Sequence, residues 1–218
     1  MAFRVLDSDA FTRGNNTDLG TEWDAGYTGR DQLRLNSNQA RPGASITNQE
    51  GLETFNGTTP PSDQWASLIV PVFSSGAVYI AAGVMARWAN APTVSGFFAY
   101  IEKNAASAAF FELGEYIAGT FAQLASTSYT FNANDKLTIA CEGTGIRALL
   151  NDVEQLSITD NSFASGKAGV YVYVATGGNN DQIALATFEV GDFIAAGTAG
   201  PVTGSGLVKS LVGGALAS

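Results

Sequence analysis

Between Lys136 and Phe193 the chain reads KLTIACEG (136–143), TGIRALL (144–150), Asn151-Asp152, VEQLSI (153–158), TDNSFASGKAGVYVYV (159–174) and DQIALATFEVGDF (181–193). These are successive short strands joined by tight turns, with no helical stretch between them. Leu137, Ile139 and Cys141 alternate with Lys136, Thr138 and Glu142, the period-2 pattern of a strand with one face in a core. Asn151-Asp152 tolerates positive φ and so predicts a two-residue reversal of an antiparallel pair.

Upstream the same grammar continues. QWASLIVPVF from Gln64, the run from Ala77 to Arg87, GFFAYIEK, AFFELGEYI and TFAQLAS each end at Gly, Ser, Asn or Pro, the spacing of core strands. Pro71 lacks a ladder donor, which predicts an edge strand or a bulge there. The first sixty residues are rich in Asn, Asp, Gly and Thr, with isolated apolar anchors at Phe11, Leu19, Trp23, Leu33, Leu35 and Ile46. They predict short edge strands and loops wrapped over a sandwich. The whole pattern is all-β: an antiparallel β-sandwich over residues 1–193, followed by a Gly/Ala-rich extension at 194–218.

Composition narrows the function. The chain has 218 residues, 45% of them hydrophobic, including 13 Phe, 7 Tyr and 3 Trp. That is enough apolar area for one sizeable core without disulfides. The single cysteine, Cys141, falls on the apolar face of its strand and reads as a small buried hydrophobe. A net charge of −9 with 11 Lys and Arg argues against nucleic acid and anionic membrane surfaces as partners. The start, Met1 to Asp7, lacks the apolar run of a secretory signal, so a cytoplasmic origin is expected. The absence of histidine removes Ser-His-Asp and Cys-His catalysis and the usual His-bearing zinc sites.

Two strands are apolar on both faces, Phe97 to Ile101 and Val170 to Val174. One reading makes them central strands covered on each side. The other makes Tyr100, Tyr171 and Tyr173 an exposed aromatic platform for a sugar ring, with polar neighbours such as Arg87 or Glu102.

The run DAFTRGNNTDLGTEWD (9–24) resembles the opening of concanavalin A-like lectin/glucanase (LamG-like) domains of bacteriophage and bacterial proteins. The resemblance continues through Asp63-Gln64-Trp65-Ala66, Gly143-Thr144-Gly145-Ile146, Thr159-Asp160, Ser165-Gly166-Lys167-Ala168-Gly169 and Phe188-Glu189-Val190-Gly191-Asp192, and it spans residues 9 to 193. It implies a jelly roll of two curved antiparallel sheets, a fold that serves lectins, glycoside hydrolases and virion proteins alike. The hydrolase branch carries Glu-x-Asp-x-x-Glu on one strand. Here only Glu112 and Glu115 come near it. Their separation of three sends the side chains to opposite faces of a regular strand, and only a bulge at Gly114 would bring them together. No catalytic role is expected of them.

The resemblance also admits calcium. Oxygen ligands occur at Asn179, Asn180 and Asp181 and around Asp18, Asp24 and Asp31, although GGNND reads more simply as a turn. No cofactor is otherwise expected. The segment after Phe193 is almost uncharged and keeps Leu207, Val208, Leu211, Val212 and Leu216, apolar residues suited either to packing on the parent sandwich or to docking on another chain. Together these features predict a non-enzymatic virion surface protein, a capsid decoration or cement subunit. Its partners would be the major capsid protein or tail proteins, with a symmetric homo-oligomer such as a trimer. The alternative is a carbohydrate-binding module or tail appendage that recognises host glycans.

Overall fold

Asn151 and Asp152 both adopt positive φ, 50° and 65°, and the chain reverses across them from Gly145–Leu150 into Val153–Thr159. The two-residue turn is where the sequence predicts it. The same device recurs at Ser37-Asn38 and at Ala118-Gly119, again with positive φ. The computed structural model describes residues 2–25, 33–43, 49–74, 78–90, 93–103, 108–176, 178 and 181–194.

The described residues form fifteen strands and no helix. The first five are β1 (Ala2–Asp9), β2 (Trp23–Ala25), β3 (Leu33–Asn36), β4 (Gln39–Pro42) and β5 (Gln49–Phe55). The middle of the chain supplies β6 (Gln64–Phe73), β7 (Ile80–Ala89), β8 (Ser95–Lys103), β9 (Ala109–Ile117) and β10 (Thr120–Ser128). The last five are β11 (Asp135–Glu142), β12 (Gly145–Leu150), β13 (Val153–Thr159), β14 (Lys167–Val174) and β15 (Ile183–Ile194).

They make two antiparallel sheets. One runs β13-β12-β11-β6-β15-β4-β3, with β1 also paired to β15; the other runs β10-β9-β8-β7-β14-β5-β2. The strand β15 is long enough to hold β4 at Leu185 and β1 from Phe188 to Ile194 along the same edge. Alternate side chains of both sheets meet in one core: Phe97, Ala99 and Ile101 from β8 lie with Leu137, Ile139 and Cys141 from β11 and Val170, Val172 and Val174 from β14. Burial pushes the Cys141 thiol up to about 12, as an apolar surround does to any thiol.

The N-terminal anchors enter this same core. Phe11, Leu19, Trp23, Leu33 and Leu35 are all buried in it, while Ile46 lies outside the described residues. Trp23 packs with Phe11, Phe55 and Phe188 at centroid distances of 5.6, 5.1 and 5.1 Å. Asp9 ties the loop down, accepting from the Phe11 N–H at 2.7 Å, from two Arg13 nitrogens at 2.8 and 2.7 Å and from Trp23 Nε1 at 2.7 Å. Burial raises its pKa, but these donors outweigh that and hold the carboxyl below the usual range.

Pro71 is not on an edge. Its strand β6 lies between β11 and β15, but the β11 ladder stops at Val70, and the β15 register shifts between Ala184 and Ala186. The missing donor therefore falls at a bulge, the second of the two expected solutions.

Candidate functional site

The outer face of the seven-stranded sheet carries a layer of aromatic and acidic side chains. Leu52 and Glu50 from β5, Tyr171 and Tyr173 from β14, Met85 from β7, Phe98 and Tyr100 from β8 and Tyr116 from β9 fall on the parity that points away from the core. Water would meet a hydrophobic strip here unless the rings covered one another, and they do. Phe98 stacks on Tyr100 at 4.8 Å and on Tyr116 at 5.6 Å, and tilts against Tyr171 at 5.1 Å. Aromatic contacts of this kind are each worth about 0.5–1.5 kcal/mol beyond the area they bury.

Small residues shape the layer. Gly83 of β7 sits directly between Tyr100 and Tyr171 in the ladder, and a Cβ there would lie 2.5 Å from the Ala99 carbonyl and 2.5 Å from the Tyr100 Cβ. The two tyrosine rings close over it at 6.0 Å. Gly114 likewise leaves room for Phe98 and Phe121, each 3.1 Å from where a Cβ would be.

A cleft of about 240 Å³ opens in this layer, lined by Glu50, Tyr79, Tyr100, Tyr116, Phe121, Tyr171 and Tyr173. Drug-sized ligands occupy pockets of about 300–1,000 Å³, so this one suits a single ring. Tyr100 and Tyr171 are buried at its floor; Phe121, at 46% exposure, stands at its rim. Tyr79 meets Tyr173 edge-on at 5.3 Å and is half-buried with it.

Each of three tyrosine hydroxyls donates to a glutamate: Tyr79 to Glu102, Tyr100 to Glu112 and Tyr116 to Glu50. Glu112 accepts also from Gln123 Nε2 at 2.7 Å and Ser126 Oγ at 2.9 Å. Burial, then the hydrogen bond to a carboxylate, raises the pKa of both Tyr79 and Tyr100, so these phenols remain protonated donors. Burial, followed by the nearby Glu112 charge, also raises that of Glu102, against the pull of the Tyr79 hydroxyl.

The expected platform is thus corrected in part. Tyr100, Tyr171 and Tyr173 do come together, but Tyr100 and Tyr171 are only 2% and 6% exposed because neighbouring rings cover them. They are floor, and the accessible apolar surface belongs to Phe121 with Tyr79 and Tyr173. Arg87 is not with them. It sits at a bulge of β7 with φ 50°, buried, and its guanidinium donates to the carbonyls of Ser62 at 2.9 Å, Gly143 at 2.8 Å and Phe163 at 3.0 Å. It ties loops together at the end of the sandwich.

The carboxyl pair does not converge. Glu112 faces outward opposite Tyr100, whereas Glu115 lies opposite the core residue Phe97. The pairing of β9 with β8 is regular, and the irregularity falls on β10 between Gln123 and Ala125 instead of at Gly114. Of the candidate calcium ligands, Asp181 meets Arg34 at 3.2 Å and Arg41 at 3.6 Å, Asp24 meets Lys167 at 3.4 Å, and Asp18 accepts from Asn16 and from the Gly20 N–H. Asn179, Asn180 and Asp31, like Leu207, Val208, Leu211, Val212 and Leu216, lie outside the described residues. No group of three or more acidic or thiol side chains that could hold a metal ion occurs among the described residues.

Sequence reasoning missed Glu50, Tyr79, Tyr116 and Phe121. Tyr116 was within reach of it, since Glu112, Gly114 and Tyr116 share one parity on a single strand. Tyr79 and Phe121 fall within runs read as strands, Ala77 to Arg87 and TFAQLAS, but nothing local in either run marks the ring that reaches the outer face.

No family model matches the chain, and no curated protein sequence does. Solved structures share its fold. The carbohydrate-binding module CBM66 of Bacillus subtilis is similar with a TM-score of 0.57 at 14% identity, over 78% of this chain and 96% of that one. The CBM2 module of the evolved Dit of Lactobacillus casei BL23 phage J-1 is similar at 0.58 and 12% identity, over 87% and 95%. The exoplasmic/lumenal domain of VIP36 with Ca2+ and Man3GlcNAc bound is similar at 0.58 and 11% identity, over 82% and 86%. At these identities the likeness establishes a lectin-like β-sandwich, the concanavalin A-like jelly roll expected from the sequence.

Proposed function

We propose that this protein is a non-enzymatic glycan-binding module that holds a sugar ring in the aromatic cleft on the outer face of its seven-stranded sheet. The observation that carries the reading is the cleft itself: six aromatic rings and Glu50 around a space of about 240 Å³. Apolar ring faces stack on the C–H faces of a pyranose, while tyrosine hydroxyls and carboxylates take up its hydroxyl groups; that mixed lining is what small-molecule sites use for orientation. Similar folds in CBM66, in the phage Dit module and in VIP36 support it. The divergence of Glu112 and Glu115 supports binding without hydrolysis, since retaining hydrolysis needs carboxyls about 5–5.5 Å apart on one site. A glycan array probed with the wild-type protein and with Phe121→Ala tests it. The wild type should return binders that the variant loses; an array without binders sinks the reading.

A second reading concerns where the module works. The phage Dit module among the similar structures, the acidic chain and the apolar run with Leu207, Val208, Leu211, Val212 and Leu216 favour a virion appendage or decoration protein, anchored through that run and displaying the cleft outward. Particles assembled with residues 195–218 deleted should lose this subunit; undiminished incorporation would remove the anchor.

A further inference from the structure

The sheet opposite the cleft ends in an unshared margin. Its strand β1 pairs with β15 alone, so the other edge of β1 has no strand beside it among the described residues, and such an edge readily takes up a further segment of chain. The ladder between β15 and β6 stops at Gly191 opposite Trp65, which leaves Ala2 to Arg4 as the strand partner of Asp192 to Ile194. Two strands by themselves make a marginal unit in water. The margin is also apolar. Six large hydrophobic side chains are exposed among the described residues, and three of them lie here: Val5 at 49%, Leu6 at 40% and Ile194 at 37%. Half-buried Phe3 and Phe193 adjoin them, and Leu6 stands at the register shift between Val5 and Asp7. Exposed apolar side chains are ordinary when scattered singly; gathered on one margin they mark a contact surface.

We propose that the occupant of this margin is the chain's own C-terminal run, residues 207–216, folded back onto β1. The inference goes beyond the glycan-binding reading and does not depend on it. Position, reach and charge select this occupant. The chain leaves the sheet at Ile194, opposite Ala2, so the run is tethered to the margin it would cover. The twelve residues 195–206 are Gly, Ala, Thr, Ser, Pro and Val. Fully extended they span about 40 Å, whereas the eight residues of β1 measure about 26 Å. The run carries Leu207, Val208, Leu211, Val212 and Leu216 with a single charge, Lys209. On β1, Val5 and Leu6 are followed by Asp7, so apolar side chains meet apolar ones and the ammonium meets a carboxylate. A short flexible tether holds the run at an effective concentration on the order of millimolar, and a second copy displaces it only in comparably concentrated solution. Docked there, the run keeps both its own apolar residues and the margin out of water in the free subunit.

A spin label on the full chain reads the contact by NMR. Cys141 is buried, with its thiol pushed up to about 12, so at neutral pH a thiol-reactive nitroxide attaches at an introduced Ser210→Cys and leaves Cys141 alone. The amide signals of Val5 and Leu6 should lose at least half their intensity relative to the sample with the nitroxide reduced, while that of Phe121 on the other sheet should not change. Adding Leu211→Asp together with Val212→Asp to the labelled chain should raise the Val5 and Leu6 signals at least twofold. A loss that persists in that variant is proximity through the tether alone and overturns the proposal. Isotope-labelled chains without the nitroxide, mixed with nitroxide-bearing chains of natural abundance, should show no loss; a loss there assigns the margin to a second copy and overturns it. Unchanged Val5 and Leu6 signals, or a loss centred on Phe121, overturn it as well. None of these results bears on the glycan array, which decides the cleft separately.

Discussion

Tyr100 donates its hydroxyl hydrogen to Glu112, the residue directly opposite it on the neighbouring strand. The bond fixes the floor of the cleft, because it locks a buried phenol against a carboxylate that Gln123 and Ser126 also hold. Tyr100→Phe should therefore cost about 1.5–3 kcal/mol, the range for a hydrogen bond to a charged group, read as a lower urea midpoint with unchanged m-value. A loss under 0.5 kcal/mol would mean that the hydroxyl does little.

Gly83 is a tight point of the aromatic layer. A methyl group there meets the Ala99 carbonyl and the Tyr100 Cβ at 2.5 Å, so the strands β7 and β8 would have to separate. Gly83→Ala should destabilise by about 1–3 kcal/mol, as overpacking does, and should weaken glycan binding by spreading Tyr100 from Tyr171. An alanine variant with wild-type melting temperature and binding would contradict this.

Arg87 serves stability. Its planar fork reaches three carbonyls from three loops, and an ammonium cannot span them. Arg87→Lys should cost about 2 kcal/mol or more, from carbonyls left without donors, yet leave glycan affinity within twofold once the variant is folded. Thermal melting and titration on the same sample separate the two effects.

Glu53 gives the fold a pH dependence. It is buried beneath β3, with the Leu33 N–H at 2.6 Å, and burial pushes its carboxyl up to about 8, with Asp18 and Asp24 adding to the rise. From its ordinary value of 4.5 up to about 8 the folded chain keeps a proton that the unfolded chain has released, so stability falls as pH rises through that window. The loss is on the order of 5 kcal/mol when complete. Glu53→Gln removes it: the variant should melt well above wild type at pH 9 and close to it at pH 5. Parallel melting curves at both pH values would show that the carboxyl titrates normally.

The architecture was legible because its signals are local. Alternation at Leu137, Ile139 and Cys141 and the turn chemistry of Asn151-Asp152 act within a few residues, and the β11-β12-β13 run of one sheet follows from them. Even Asp9, hub of the N-terminal loop, lies within the motif that carried the family resemblance. The site was legible only in part because it is assembled across strands. Tyr100, Tyr171 and Tyr173 announced themselves as aromatic residues in apolar strands, but which rings are floor and which are wall depends on Gly83 and Gly114 opposite them. Arg87 was misplaced because a left-handed residue at a bulge breaks the parity on which the reading relied.

The cleft is tested most directly by a two-dimensional NMR titration of the full chain with the tightest binder from the glycan array. Perturbations should centre on Tyr79, Tyr173, Phe121 and Glu50. On the opposite face Phe3 stacks on Trp65 at 5.1 Å beside Phe193, and its signals should not move. Shifts centred on Phe3, Trp65 and Phe193, with the cleft silent, would contradict the account.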